Sequence, residues 1–496
     1  MRRARTDHAA VALDSDRVLV LGGDDSGANS TYEVYDALAM EWQLGGAIPL
    51  RDPSNDEPAH LYRHTATRLA GASGEVLIVG GQGDLDQLLI FKNVFRYDPS
   101  TGELTEVAPL LEARTQHTAT LLDSGEVLVV GGFRGTGLRS TELYNPTLNR
   151  WRSGPMMMDM AERYLHTATR LQDGRVLVIG YTPVPQIYDP ATETFSAGTR
   201  MTNDSARFGH SATLLPNGCV LVAGGRLRDS HSSDTELYNP DMDKWIVAAQ
   251  LRAPRAFHEA TYLDEDGSVL LTGGEDQSQK LATAERFTLG QPGEACADRC
   301  ECRSGFCVDG VCCDTACDLG ACDACSAVAG ATADGTCSLL TGPACDDGNT
   351  CTSGDACREG TCAGTNDDTA ACDDGNPCTR DACSEGLCVG TNDDTASCDD
   401  GDLCTRNFCQ GGGCAFEAIA CDATDECHVN GTCDPETGDC VPPRKEDGVM
   451  CEGGGVCLGG DCIHDLPEAS SSSQGGTGAT GAASTAAGAG GAGSGP

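Results

Sequence analysis

Residues 117–151 read HTATLLDSGEVLVVGGFRGTGLRSTELYNPTLNRW, and this stretch decides the fold. His117-Thr118-Ala119-Thr120-Leu121 is one short strand, and Val127 to Gly132 is a second, apolar and closed by a diglycine. Glu142 and Tyr144 mark a third strand, and Trp151 opens a fourth. Short β-prone runs separated by Gly, Asn and Pro predict a small antiparallel sheet.

The same unit recurs along the first 289 residues. Its opening histidine returns at His8, His64, His117, His166, His210 and His258, at intervals from 44 residues (His166 to His210) to 56 (His8 to His64). The diglycine returns as Gly22-Gly23, Gly80-Gly81, Gly131-Gly132, Gly224-Gly225 and Gly273-Gly274. The aromatic of the third strand returns as Tyr35, Tyr97, Tyr144, Tyr188 and Tyr238, with Phe287 last. The fourth strand begins at Trp42, Trp151 or Trp245, or at the substitutes Leu104 and Phe195. In the fourth copy the diglycine is replaced by Gly180-Tyr181 and the following loop is shortened, which predicts an irregular blade. A period of this size marks a propeller or solenoid, because one small sheet cannot bury both its faces alone.

These diglycine, aromatic and Trp positions resemble the kelch repeat. The resemblance implies an all-β fold, a propeller with six visible repeats and six or seven blades, over 1–289. The glycines would allow positive φ, and the aromatics would pack between blades. Six equivalent histidines spread around a ring do not converge as metal ligands do, so they read as structural. His60 and His231 fall outside the repeat position and read as solvated loop side chains.

Composition changes sharply near residue 290. Of 30 cysteines only Cys219 lies before that point, and 29 fall between Cys296 and Cys462. Such density marks a disulfide scaffold and an oxidising compartment. Residues 291–468 hold 36 Asp and Glu against 7 Arg and Lys, a net of −29, leaving −13 of the total −42 to the repeats. Both parts are acidic, which excludes nucleic acid as a partner because phosphate binding needs a basic footprint.

The second part divides into a cysteine-rich module over 290–343, acidic cysteine-rich repeats over 344–465, and a Gly/Ala/Ser-rich linker over 466–496. The linker composition cannot form a core and predicts a disordered tether spanning about 30 Å. Three copies of one motif define the repeats: Cys345-Asp-Asp-Gly-Asn-Thr-Cys351, Cys372-Asp-Asp-Gly-Asn-Pro-Cys378 and Cys398-Asp-Asp-Gly-Asp-Leu-Cys404. Each copy has two further cysteines, so four per unit can close two bridges. The spacing does not suit zinc knuckles. Cys322 and Cys325 have redox-like spacing but read as structural. The odd tail count leaves one cysteine free, bridged to Cys219, or paired outside the chain. Asp346, Asp347, Asp373, Asp374, Asp399 and Asp400 have two readings, calcium ligands or polar turn residues. No other cofactor is indicated.

Met1 matches the middle of a repeat, and the sixth copy lacks a fourth strand. The expectation is an upstream start with a signal sequence and the missing strand. The cysteine modules and linker resemble those of secreted or surface-anchored myxobacterial proteins that join kelch repeats to such tails, which implies a membrane or cell-surface anchor after Pro496. The leading functional expectation is an exported, extracellular or cell-surface binding or adhesion protein without enzymatic activity. Its propeller would meet a protein or carbohydrate ligand, on a disulfide-bonded acidic stalk. The alternative is a secreted propeller enzyme such as a carbohydrate oxidase or epimerase. The oxidase requires a Cys–Tyr cross-link, for which Cys219 is the only propeller cysteine. An intracellular adaptor of the BTB–kelch kind fits the cysteine tail poorly.

Overall fold

The computed structural model describes residues 1–3, 5–23, 30–54, 56–71, 73–83, 89–158, 163–203 and 206–464, and the expected linker over 466–496 lies outside them. Among the described residues there is no α-helix, and no helix is long and apolar enough to cross a membrane. The described chain divides into two compact units. Met1–Asp346 with Asp355–Ala363 form the first, and Asp347–Gly354 with the chain from Gly364 form the second.

The first unit holds six antiparallel meanders, five of four strands and one of three. In the third blade the strands are Thr118–Leu121, Val127–Val130, Thr141–Asn145 and Arg150–Ser153. The first strands of the six blades are Ala9–Ala12, Thr65–Arg68, Thr118–Leu121, Thr167–Arg170, Ser211–Leu214 and Glu259–Leu263. Successive first strands pack side by side, which puts them innermost. The fourth blade is irregular where the sequence predicts it. The register shifts between Val178 and Gly180, and Gly180 pairs with Thr182 across a minimal turn.

The core lies between blades. Val127 and Val129 pack with Leu77 and Val79 of the preceding blade, while Leu128 and Val130 pack with Val176 and Val178 of the next. A strand buried on both faces therefore reads as the continuous apolar run VLVV. Further out, Tyr144 pairs with Trp151, as Tyr35 does with Trp42 and Tyr238 with Trp245. The rings lie 4.8, 5.1 and 4.9 Å apart. The Trp151 and Trp245 indoles donate to the carbonyls of Ala108 and Thr199 in the preceding blades, at 2.8 and 2.9 Å.

Nearer the axis two polar ties join neighbouring blades, and a third acts within a blade. The second glycine of the pair donates its N–H to the next blade, as from Gly132 to the Arg163 carbonyl at 2.7 Å. Gly131 and Gly132 adopt φ of 59° and 102°, and a Cβ on either would stand within 2.7 Å of a backbone oxygen. The second tie uses the repeat histidines. The hydroxyls of Thr65, Thr118, Thr167 and Ser211 lie 2.9–3.1 Å from Nε2 of His117, His166, His210 and His258 in the following blade. Alanine at the equivalent position, Ala9, leaves His64 without that partner. The third tie is a buried ion pair that sequence reading missed. Arg5, Arg114, Arg207 and Arg255, each three residues before a repeat histidine, meet Glu33, Glu142, Glu236 and Glu285 at 2.6–2.8 Å. In the second blade Leu61 and Phe95 fill both places with apolar side chains. In the fourth, Arg163 bonds instead to the Gly180 carbonyl and the Thr182 hydroxyl.

Burial holds these histidines neutral. It lowers His64, His166 and His210 to about 3 and His258 to about 4, and holds His117 well below its ordinary value. The neighbouring arginine adds to the effect in every one of these except His64. The unfolded chain takes up protons near pH 6.5, whereas the native ring does not until pH falls toward 3–4. Stability is therefore full above pH 6.5 and falls with pH through that window, by about 1.4 kcal/mol per histidine per pH unit. Acid unfolding is expected to begin between pH 6 and 5, above the carboxylate range, when circular dichroism melts are followed against pH. A melting temperature that stays flat from pH 7 to 5 would refute it.

The cysteine-rich segment begins against the fifth blade. Cys219 is bonded to Cys300, Asp298 accepts from Asn239, and the Arg299 guanidinium donates to the Asn217 carbonyl and pairs with Asp241. This resolves the odd cysteine, and every cysteine is paired. Cys322 and Cys325 are bonded to Cys357 and Cys313 and form no redox pair.

The sequence allows two bridges per repeat without fixing their connectivity, and the structure closes one inside each repeat. The first and fourth cysteines of a repeat do join, as Cys345–Cys362, Cys372–Cys388 and Cys398–Cys414. The second joins the third cysteine of the next repeat, as Cys351–Cys383 and Cys378–Cys409, and the same forward linkage continues past the third repeat as Cys404–Cys433 and Cys427–Cys457. Strand geometry gives one reason. Cys378 precedes the strand Thr379–Ser384 that carries Cys383. Five extended residues span about 16 Å, well beyond the ~7 Å Cα limit of a disulfide. Each hairpin tip also receives the preceding motif, as when Asn349 and Asn376 donate to the carbonyls of Gly386 and Gly412 at 2.8 and 2.7 Å.

Candidate functional site

The residue just before each repeat histidine lies where an inner strand begins, at one end of the propeller that forms its mouth. Asp7, Arg63, Gln116, Leu165 and Phe257 all adopt left-handed φ of 51–56°, and Gly209 adopts 62°. Their backbones form an arc across the blades: Arg63 N–H donates to Asp7, Gln116 to Arg63, Leu165 to Gln116, Gly209 to Leu165 and Phe257 to Gly209, at 2.7–3.1 Å. Five non-glycine residues held in this sparsely populated region mark the mouth as an over-determined surface.

Beside this arc runs a row of aromatic side chains from four blades. Phe133 meets Tyr164 edge-on at 5.4 Å, Tyr164 meets Tyr181 at 4.6 Å, and Tyr181 stacks on Phe208 at 5.1 Å and 8°. Phe257 completes the row at 6.4 Å from Phe208 and is 43% exposed. The Arg226 guanidinium lies over the Phe208 ring at 5.8 Å.

After the diglycine most blades project a small hairpin, paired as Gln82 with Ile90, Phe133 with Gly137, Arg226 with His231, and Glu275 with Lys280. The fourth blade turns back at once through Tyr181 and Thr182. The hairpins of the fifth and sixth blades flank an open cleft of about 320 Å3 that includes Arg226, His231, Glu275, Asp276, Gln277 and Lys280. His231 corrects the sequence reading. The turn that pairs it with Arg226 tucks its ring inward, so its side chain is only 7% exposed and Nε2 lies 3.9 Å from a Glu275 oxygen.

The predicted structural positions lie elsewhere. The five diglycines, Tyr35, Tyr97, Tyr144, Tyr188, Tyr238, Trp42, Trp151 and Trp245 sit within and between blades. Five of the six candidate calcium residues sit in turns that use their carboxylates. Asp347 accepts from the Asn349 N–H and the Thr352 hydroxyl, Asp374 from the Asn376 N–H and the Thr379 hydroxyl, and Asp400 from the Asp402 N–H and the Thr405 hydroxyl. Asp373 and Asp399 accept from Gly375 and Gly401. Sequence reading assigned none of the mouth residues to a site, although it singled out Tyr181 and His231 for other reasons. The available signal was an aromatic or arginine next to a repeat landmark, as in Gly180-Tyr181, Gly225-Arg226, Phe208 and Phe257.

The Kelch motif model matches residues 114–158. Among curated proteins the chain is 36% identical over 97 residues to human Kelch-like protein 33, covering 19% of this chain and 18% of that protein. It is 28% identical over 193 residues to human Kelch-like protein 23, covering 30% and 33%. The match to Kelch repeat-containing protein kel-10 of Caenorhabditis elegans is 25% over 163 residues, covering 32% and 26%. The chain thus spans about a third or less of these relatives. Similar solved structures include YjhT, at a TM-score of 0.45 and 16% identity, covering 57% of this chain and 95% of that one. A fungal alcohol oxidase in complex with copper matches at a TM-score of 0.47 and 16% identity, covering 57% and 63%. With its repeats and four-stranded antiparallel sheets, the chain contains kelch repeats and has an all-β fold followed by a disulfide-bonded region.

Proposed function

We propose that this is an exported binding protein without enzymatic activity. Its propeller mouth meets the ligand, and its disulfide-bonded acidic tail acts as a spacer, with the division at 289, 343 and 465 as its working organisation. The observation that carries the reading is the mouth itself, where an aromatic row and an open cleft lie beside an arc of left-handed backbones. Export is supported by fifteen disulfides that a reducing compartment would not keep. The oxidase alternative loses support because Cys219, the sulfur a Cys–Tyr cross-link would need, is bonded to Cys300. A membrane or cell-surface attachment remains part of the proposal.

The test compares wild type with Phe257→Asn, a residue that tolerates the left-handed backbone, on arrays of glycans and extracellular proteins. Binders lost in the variant support the mouth; binders retained at equal strength overturn it, as would copper-dependent oxidation of sugar alcohols by the wild type. The acidic loops read as turns, with calcium as the rival. Millimolar Ca2+ is expected to protect the tail from proteolysis no better than Mg2+, since neutralisation alone responds to both ions. Selective protection by Ca2+ would assign the ion to Asp346, Asp347, Asp373, Asp374, Asp399 and Asp400.

A further inference from the structure

The cleft between the fifth- and sixth-blade hairpins has features that the general binding role does not require. We propose that it binds a carboxylate-bearing sugar ring, of the uronic-acid class, within an anionic polysaccharide. This inference rests on the mouth being the ligand face.

Three observations carry it. First, Arg226 and Lys280 stand on the cleft wall together with two carboxylates, Glu275 and Asp276; Asp276 is engaged by the backbone N–H groups of Ser278 and Gln279, and Arg226 is planted over the Phe208 ring. A guanidinium held on an aromatic face keeps its donor edge free for a carboxylate, which it can bind in bidentate fashion. Second, His231 is more than nine-tenths buried in the cleft wall, and neither ring nitrogen has a hydrogen-bond partner. Burying a polar group unpaired is costly, so a ligand able to donate and accept there recovers that cost. Sugar hydroxyls do both, and Glu275 at 3.9 Å supplies an acceptor beside the ring. Third, Arg226 of the cleft wall lies over Phe208, which places the cleft next to the Phe208 end of the aromatic row, with the rings outside the cleft lining itself. Aromatic faces suit the apolar face of a sugar ring, and the row would extend the site along a chain of such rings. The volume of about 320 Å3 is at the small end of ligand pockets, matching one ring and not a folded peptide.

The third observation separates this occupant from an acidic peptide, which would satisfy the cations but has no use for the aromatic faces. The probes are a galacturonate oligomer, a neutral glucose oligomer of the same length and poly-glutamate, titrated calorimetrically against the full chain with its disulfides intact. Expected are binding of the galacturonate oligomer alone, at least tenfold weaker binding for Arg226→Gln and for Lys280→Gln, and at least tenfold for His231→Phe, with unchanged melting temperatures in the two glutamine variants. Equal binding of poly-glutamate, or galacturonate binding untouched by all three variants, overturns the proposal. No binding of any probe also overturns it, and the Phe257→Asn array result then decides separately whether the mouth is a ligand face. Binding of the neutral oligomer alone would likewise reject the carboxylate while leaving that broader reading intact.

Discussion

A tail cut between its repeats should stay in one piece until it is reduced. From Cys313 to Cys462 the disulfides overlap without a gap: Cys351–Cys383 reaches across the segment between the first two repeats, Cys378–Cys409 across the next, then Cys404–Cys433 and Cys427–Cys457. Cys451–Cys462 closes the run. A protease that cuts before aspartate finds exposed Asp368, Asp394 and Asp447 between consecutive repeats. Under the observed pairing, cleavage at all three adds the mass of one water each and releases nothing in non-reducing electrophoresis or mass spectrometry. Reductant then yields the separate pieces. Pairing confined within each repeat would release fragments at the first cut, so free fragments before reduction would overturn the ladder. For a spacer the ladder means that one broken peptide bond does not detach what it carries.

The second large effect is expected in the buried ion pairs. Arg114 has no exposed surface, and it donates to the carbonyls of Gly131 and Ser140 and to Glu142 at 2.7 Å. Glu142 is also nearly fully buried and accepts from the backbone N–H groups of Leu111 and Glu112. Arg114→Leu leaves that carboxylate without its cation and is expected to cost about 3–5 kcal/mol, because an uncompensated buried charge is far worse than no charge. At roughly 2–4 °C per kcal/mol for a domain of this size, the melting temperature should fall by about 10 °C. The second blade shows the remedy, since Leu61 and Phe95 occupy the same two places. Arg114→Leu combined with Glu142→Phe should therefore recover most of the loss, apart from the two N–H groups that Glu142 served. A single variant that melts within 2 °C of wild type, or a double variant no better than the single, would show that the pair is not what holds this blade together.

The repeat, its four strands and the acidic disulfide region were legible because each rests on local pattern. VLVV is apolar at every position because both faces of that strand are covered, and His117-Thr118-Ala119-Thr120 alternates because it is half-buried. The partners of these residues were not legible. Arg114 was visible three places before His117, but its need for Glu142 lies 28 residues on, and the loss of both at Leu61 and Phe95 makes sense only when the two side chains are seen to touch. The bond of Thr118 to His166 spans 48 residues and a blade boundary. Cysteine order likewise could not choose between bridges within a repeat and bridges to the next, because the choice depends on how one hairpin tip docks on the preceding loop.

The mouth shows the same division most clearly. Sequence placed His231 on a loop and read a solvated side chain, since nothing within a few residues tells which way a turn folds. The tertiary structure tucked it beside Glu275, a residue of the next blade, and brought Phe133, Tyr164, Tyr181, Phe208 and Phe257 into one row from four blades. By itself the sequence determined the strands, the covered faces and the redox chemistry of this protein, because backbone geometry and burial act over a few residues. Only the tertiary structure decided the ion pairs, the disulfide ladder and the candidate site. Those join groups whose separation along the chain is tens of residues, and whose distance is set by how strands, blades and repeats pack on one another.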